Sequence, residues 1–426
     1  ATFLMLVTRI WDAVSDPMMG IIADRTQTKW GKYRPYLLWI AIPFAVVGVL
    51  LFTTPDMGYA GKRIWAYVTY ILMMTVYTAI NVPYGAMLGV MTADSDEKTV
   101  FSSFRMFFAY AGSFIVLAGW EPLCKMFNKM QGIETSVNDP SSWQYAMIVV
   151  AVCCLLLFIL CFKMTRETVK SMPKETSVGS DLKTLFRNAP WWILLGGVLF
   201  FNLFNSARYT AGPFFFASVI GGEAQLKIFS FEFLFYAGIF FAVGEVANMA
   251  GVAMTPWITR KIGKKSTFMY SLILLIGLSI LFFFIPLTSG GYWLMMLMQV
   301  IISVITGIVS PLVWSMYADI ADYAELKFNT ASTGLIFSSS SMAQKFGGAI
   351  GGSAVTAILA AVGYSTEAGA IQTESALVWV RALMSFVPAA VATASLFFIS
   401  IYPLTTKRMK EIQAELEIRR GPQSAE

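Results

Sequence analysis

Residues 1–22 read ATFLMLVTRIWDAVSDPMMGII, an apolar run long enough to cross a bilayer that nevertheless holds Arg9, Asp12 and Asp16. A single charge at the centre of a spanning helix costs about 2.5–3.5 kcal/mol on insertion scales. Three in one span make little sense as packing, but they do make sense if a cation arrives to neutralise them. At helical spacing Asp12 and Asp16 project from one face, one turn apart, with Ser15 and Arg9 flanking them. Pro17 follows and deprives the Ala13 carbonyl of its helical donor. Two carboxylates, a hydroxyl and a freed carbonyl form a hard-oxygen set suited to Na⁺ or Li⁺. A crowded carboxylate pair can equally hold a proton. The competing reading is a structural Arg9–Asp12 ion pair, with Asp16 as a polar residue near the helix end.

The whole chain has the composition that such a span requires. Of 426 residues 57% are hydrophobic and only 13% are charged, where a soluble domain is nearer a quarter charged. The mean hydropathy is +0.65. Cys124, Cys153, Cys154 and Cys161 show no disulfide framework or metal spacing, and histidine is absent. That removes the usual metal ligand and proton shuttle and leaves an intramembrane enzyme as a remote alternative. The net charge of +6 reflects loop bias, not affinity for nucleic acid.

Apolar runs predict eleven spans, at 1–22, 35–54, 63–92, 100–127, 143–164, 191–219, 231–259, 267–287, 291–320, 331–362 and 376–403. Basic residues fall in alternate loops: Arg25, Lys29, Lys32 and Arg34; Arg166 to Arg187; Arg260, Lys261, Lys264 and Lys265; and the tail from Lys407 to Arg420. These loops are expected on the cytoplasmic side of the cell inner membrane, with residue 1 outside. The charged loop 165–190 separates an N-terminal bundle, 1–164, from a C-terminal bundle, 191–403, and a cytoplasmic tail, 404–426. Repeat-built carriers have matched halves, so a further span is expected to precede residue 1. The tail, with alternating charges on an amphipathic pattern, reads as a surface helix.

GIIADRTQTKWGKYRP at 20–35 resembles the loop between the second and third helices of the major facilitator superfamily. RIWDAVSDPMMG, KWGKYRPYLL, YTAINVPYGAM, FRMFF and ADIADYAELK together resemble the glycoside–pentoside–hexuronide cation symporters, the family of melibiose permease. The resemblance implies an all-α polytopic membrane protein with two six-helix bundles around a cavity open alternately to each side, its first helix being absent from this chain. It places Asp12 and Asp16 on the cation-site carboxylates, Thr78 on the cation-site threonine, and Ser15 beside them. It places Tyr77, Asn81 and Arg105 at sugar positions and Lys345 between the two sites. Asn81 stands where melibiose permease has a sugar-binding Asp, and Gly85 where it has a stacking Trp; these departures weigh against an α-galactoside and leave the implied cation positions nearly intact.

Residue chemistry agrees with these placements. Asn81 can donate to and accept from a sugar hydroxyl, and Arg105 can grip vicinal hydroxyls with two donors. Lys345 lies too deep in LIFSSSSMAQKFGGAIGG to snorkel comfortably. Beside it, Ser340, Ser341 and Gln344 offer sugar-type hydrogen bonds, although serines there also permit close helix approach. Asp319 and Asp322 read as gate residues that pair with basic loops. Asn202, Asn205 and Arg208 share a face, and Glu245 interrupts an apolar run; each lines the cavity, gates it or packs helices.

The expected function is symport of a sugar or glycoside with a monovalent cation (Na⁺, Li⁺ or H⁺), by a monomer in the lipid bilayer and without a further cofactor. The alternative cargo is a lipid-like amphiphile or another organic solute on the same fold.

Overall fold

The computed structural model describes residues 2–132, 139–169, 177–228, 231–329, 332–365 and 371–420. Its N-terminal half contains α1 (Thr2–Arg25), α2 (Arg34–Trp39), α3 (Ala41–Leu51), α4 (Tyr59–Met91), α5 (Ser95–Met130) and α6 (Pro140–Met164). The short α7 (Val178–Phe186) leads to α8 (Ala189–Phe215), which ends in a π-helical turn, Phe216–Ile220. A hairpin, β1 (Ala224–Ile228) and β2 (Phe231–Phe235), precedes α9 (Ala237–Ile262) and α10 (Lys264–Phe283). Then come α11 (Ser289–Phe328), α12 (Thr333–Ala361), α13 (Glu374–Met384), α14 (Phe386–Ser400) and α15 (Thr406–Arg420).

Eight helices among the described residues are long and apolar enough to cross a membrane: α4, α5, α6, α8, α9, α10, α11 and the α13–α14 pair. The other three expected spans are α1 and α12, which carry the charged cluster, and α2–α3, which breaks at Ile40. Helix starts follow local chemistry. Asp94 accepts from the amides of Asp96 and Glu97 at the head of α5, and Asp139 caps α6 in the same way. The Ser141 hydroxyl and two amides hold the half-buried Asp139 carboxyl below the usual carboxylate range.

Three departures from the sequence reading have physical causes. Helix was expected from residue 231, but FEFLF pairs antiparallel with AQLKI in the register Ala224↔Phe235. Phe231, Phe233 and Phe235 alternate with Glu232 and Leu234, a two-residue period that runs into the helical one. The last span breaks at Ser385, and Pro388 lacks the N–H that would bond the Met384 carbonyl. Arg208 instead donates its Nη1 to that carbonyl at 2.8 Å and its Nη2 to Gln299 at 2.9 Å, and it is buried there. Finally, α15 is not a free surface helix: Met409, Ile412 and Leu416 are buried, Gln413 donates to the Ala93 carbonyl, and Arg419 donates to that of Leu326.

The halves meet along α1 with α12, α4 with α11 and α12, and α5 with α9 and α11. Polar contacts between them concentrate at the basic end. Lys98 of α5 pairs with Asp322 of α11, both buried. Asp319 accepts from Ser95 at 2.8 Å and from Lys264 at 2.7 Å. Asp24 at the end of α1 accepts from the amides of Gly334 and Leu335, which belong to the first turn of α12, at 2.6 and 3.0 Å. The loop after α1 is itself braced: Glu167 accepts from the amides of Lys32, Tyr33 and Arg34, and Gly31 beside them has φ +111°, where only glycine sits without strain.

Within the C-terminal half, α9 and α11 touch backbone to backbone. A Cβ on Gly307 would lie 2.2 Å from the Asn248 carbonyl oxygen, and one on Gly251 would lie 2.0 Å from that of Val304. Gly307→Ala is therefore expected to destabilise the protein by at least the 1–3 kcal/mol typical of overpacking, because the clash is with backbone and no rotamer relieves it. Thermal unfolding followed by tryptophan fluorescence checks this; an unchanged midpoint would contradict the tight approach.

Candidate functional site

The charged pair predicted from the sequence lies on one face of α1, and that face meets α4 and α12. Asp12 and Asp16 are fully buried, and the Lys345 ammonium lies 2.8 Å from Oδ1 of each. Thr78 of α4 donates to Asp16 Oδ1 at 2.7 Å and accepts from Lys345 at 3.2 Å. Four helical positions on three helices, from both halves, thus converge on one cluster. Pro17 is carried inside α1 without ending it.

Among the described residues, two oxygens in the cluster are buried without a hydrogen-bond partner, Asp16 Oδ2 and Ser15 Oγ. A buried acceptor left unsatisfied costs about 1–3 kcal/mol, and more when charged. Together with the Asp12 carboxylate and Thr78 Oγ1 these are hard-oxygen donors, and they fit a small monovalent cation or a proton. Lys345 at present supplies the positive charge that such a cation would bring. The side chain of Arg9 lies outside the described residues.

Next to this cluster Tyr77 presents its ring 5.8 Å from the Lys345 ammonium. One and two turns along α4 stand Asn81 and Gly85. Arg105 of α5 lies with its guanidinium 3.8 Å over the ring of Trp314 and 4.5 Å over that of Tyr84. Its Nη1 is buried with no hydrogen-bond partner. Two aromatic faces therefore hold the cation in place while its Nη1 donor remains unspent among the described residues. A Cβ on Gly85 would lie 3.0 Å from Trp314, so an indole from the other half occupies the space that this glycine leaves open.

Trp314 also lines a cavity of about 280 Å³ between the halves. Its walls carry Met106 and Tyr110 of α5, Asn202, Asn205 and Tyr209 of α8, Glu245 and Asn248 of α9, Thr306 and Ser310 of α11, and Gln344 of α12. Tyr110 and Ser310 share a hydrogen bond of 2.8 Å across the halves. Amides and hydroxyls interleaved with aromatic faces suit a polyhydroxylated ligand, whose C–H faces and O–H groups need both.

The remaining candidates fall elsewhere. Ser340 and Ser341 are buried in helix packing and do not line this cavity, and the Ser340 hydroxyl has no partner. Gln344 does line it. Asp319 and Asp322 are buried at the basic end, in ion pairs with Lys264 and Lys98. The sequence reading missed Lys98, whose neighbours Asp96 and Glu97 make it look like an ordinary loop charge. It also missed Trp314, since one Trp among many aromatics gives no local signal. Glu245 and the Asn202–Asn205 pair had an open reading, and the structure puts all three on the cavity wall.

Comparison with known proteins agrees with this architecture. The profile of the MFS/sugar transport protein family matches residues 1–406. The putative glycoside/cation symporter YagG of Escherichia coli K12 is 34% identical, over 99% of this chain and 87% of its own. The isoprimeverose transporter of Lactiplantibacillus pentosus is 32% identical, over 96% and 82%. The fold is similar to that of the MFS transporter FucP in the outward conformation, with TM-score 0.60, 14% identity, and coverage of 95% of this chain and 90% of that one. With its helices in that arrangement and its sequence matched from end to end, the chain belongs to the MFS/sugar transport protein family, among the glycoside–pentoside–hexuronide:cation symporters.

Proposed function

We propose that this sugar transporter couples inward movement of a glycoside to a monovalent cation held by Asp12, Asp16, Ser15 and Thr78, and that it works by alternating access. The observation that carries this reading is the pair of buried carboxylates joined across the halves by Lys345. A carboxylate pair with an internal ammonium can exchange that ammonium for an external cation. The exchange would free Lys345 and change what holds α1 to α12, which links cation binding to the relation between the halves. Ion pairs and helix caps at the basic end, with a cavity in the middle, fit a carrier closed towards the cytoplasm. Tyr77, Asn81 and Arg105 would hold the sugar on the N-terminal half, and Gln344 with the α8, α9 and α11 wall would hold it on the other.

The driving force is adequate. A potential of 100 mV gives about 2.3 kcal/mol per charge, and a tenfold ion gradient adds about 1.4. Together they sustain accumulation on the order of several hundredfold. Uptake of labelled neutral glycosides into proteoliposomes tests the reading. An imposed Na⁺ or H⁺ gradient is expected to drive uptake above equilibrium; uptake that merely equilibrates under both gradients overturns the coupling.

Arg105→Ala separates the two sites. It is expected to weaken glycoside binding at least 100-fold while leaving cation affinity within about threefold, because the guanidinium touches neither carboxylate. Calorimetric titration of each ligand decides; equal loss of both would make Arg105 a packing residue.

A further inference from the structure

Glu245, on the α9 wall, is the one formally charged side chain among the described residues that line the cavity. Its Oε1 accepts from the Tyr209 hydroxyl at 2.8 Å. Tyr209 is in turn stacked on Phe241 with ring centroids 4.8 Å apart, which limits how far the carboxylate can swing. Oε2 has no hydrogen-bond partner among the described residues. The nearby cations do not neutralise it. Lys345 is engaged by Asp12 and Asp16, and Arg105 lies on Trp314 and Tyr84 without itself lining the cavity.

We propose that Glu245 is the specificity-determining residue that restricts this carrier to uncharged glycosides and turns away hexuronides and other anionic sugars. The inference rests on the glycoside reading and adds to it the charge class of the cargo. A fixed carboxylate accepts hydrogen bonds from the hydroxyls of a neutral sugar. A second carboxylate brought into the same cavity meets like charge, and none of the described residues that line the cavity is cationic. Neighbouring Asn202, Asn205 and Asn248 can donate to or accept from a sugar but cannot neutralise an anion.

The test compares methyl β-D-glucoside and methyl β-D-xyloside with methyl β-D-glucuronide, titrated into the purified full chain in saturating Na⁺ at pH 7. The unaltered protein is expected to bind the better neutral probe at least tenfold more tightly than the glucuronide. In Glu245→Gln that ratio is expected to fall below threefold, whatever happens to absolute affinity. Equal or tighter glucuronide binding by the unaltered protein overturns the proposal, because Arg105 would then be capturing the carboxylate. An unchanged ratio in Glu245→Gln overturns it too, as does loss of all three probes from a variant that elutes as folded protein. If Glu245→Gln does not fold, the ratio in the unaltered protein decides alone. Binding of none of the three probes by the unaltered protein overturns the glycoside reading itself, and this proposal with it.

Discussion

Asp16→Asn is expected to abolish stimulation of glycoside binding by Na⁺ and to weaken Na⁺ affinity at least 100-fold. Asp16 contributes one oxygen to Lys345 and Thr78 and keeps a second, buried oxygen with no hydrogen-bond partner. An amide in its place removes the formal charge and turns one acceptor into a donor, which faces any arriving cation with the wrong polarity. A factor of 100 is about 2.7 kcal/mol, a modest share of what a direct charged ligand contributes in a buried site. Asp12 still pairs with Lys345, so the variant should insert and fold, and glycoside should bind weakly and without regard to Na⁺. Calorimetric Na⁺ titration checks this; undiminished Na⁺ coupling would remove Asp16 from the cation site.

Lys98→Met is the second large effect and acts at the other end of the molecule. Lys98 is completely buried and bonds Asp322 across the halves. Removing one partner of a buried ion pair costs about 3–5 kcal/mol, because the remaining charge loses its counterion. This pair joins α5 to α11 across the halves, so Asp322 would recover hydration if the basic end opened. A change of 3 kcal/mol shifts a two-state balance more than 100-fold. Spin labels on Asp96→Cys and Lys261→Cys, both exposed at that end, should move apart in Lys98→Met. Lys98→Met with Asp322→Leu should return the distance to its starting value, since an apolar pair can replace a buried ionic one. An unchanged distance in the single variant would show that the pair does not hold the end closed.

The cluster of Asp12, Asp16 and Lys345 was legible in the sequence because burial makes charge conspicuous. Asp12, Asp16 and Lys345 interrupt apolar runs, and an acid or base in such a run needs a partner. The spans were legible for the same reason, since twenty apolar residues leave few alternatives to a helix. Features made by pairing across the molecule were not. Lys98 sits among Asp96 and Glu97, and nothing in SDEKTV says that one of these charges is sealed inside. Trp314 acquires its meaning from Gly85 and Arg105, which lie on other helices. The hairpin was hidden because its alternating phenylalanines merge with the apolar run that follows. Ser340 and Ser341, close to Lys345 in sequence, are buried and are not among the residues that line the cavity.

On the proposed mechanism, cation and glycoside share one coupled device. Binding must then be reciprocal: the factor by which Na⁺ raises glycoside affinity equals the factor by which glycoside raises Na⁺ affinity. Calorimetry of each ligand with and without saturating amounts of the other measures both factors on the unaltered protein, using a neutral glycoside that binds it. The account predicts two equal factors of tenfold or more, both falling to one in Asp16→Asn. Factors of one in the unaltered protein would contradict it.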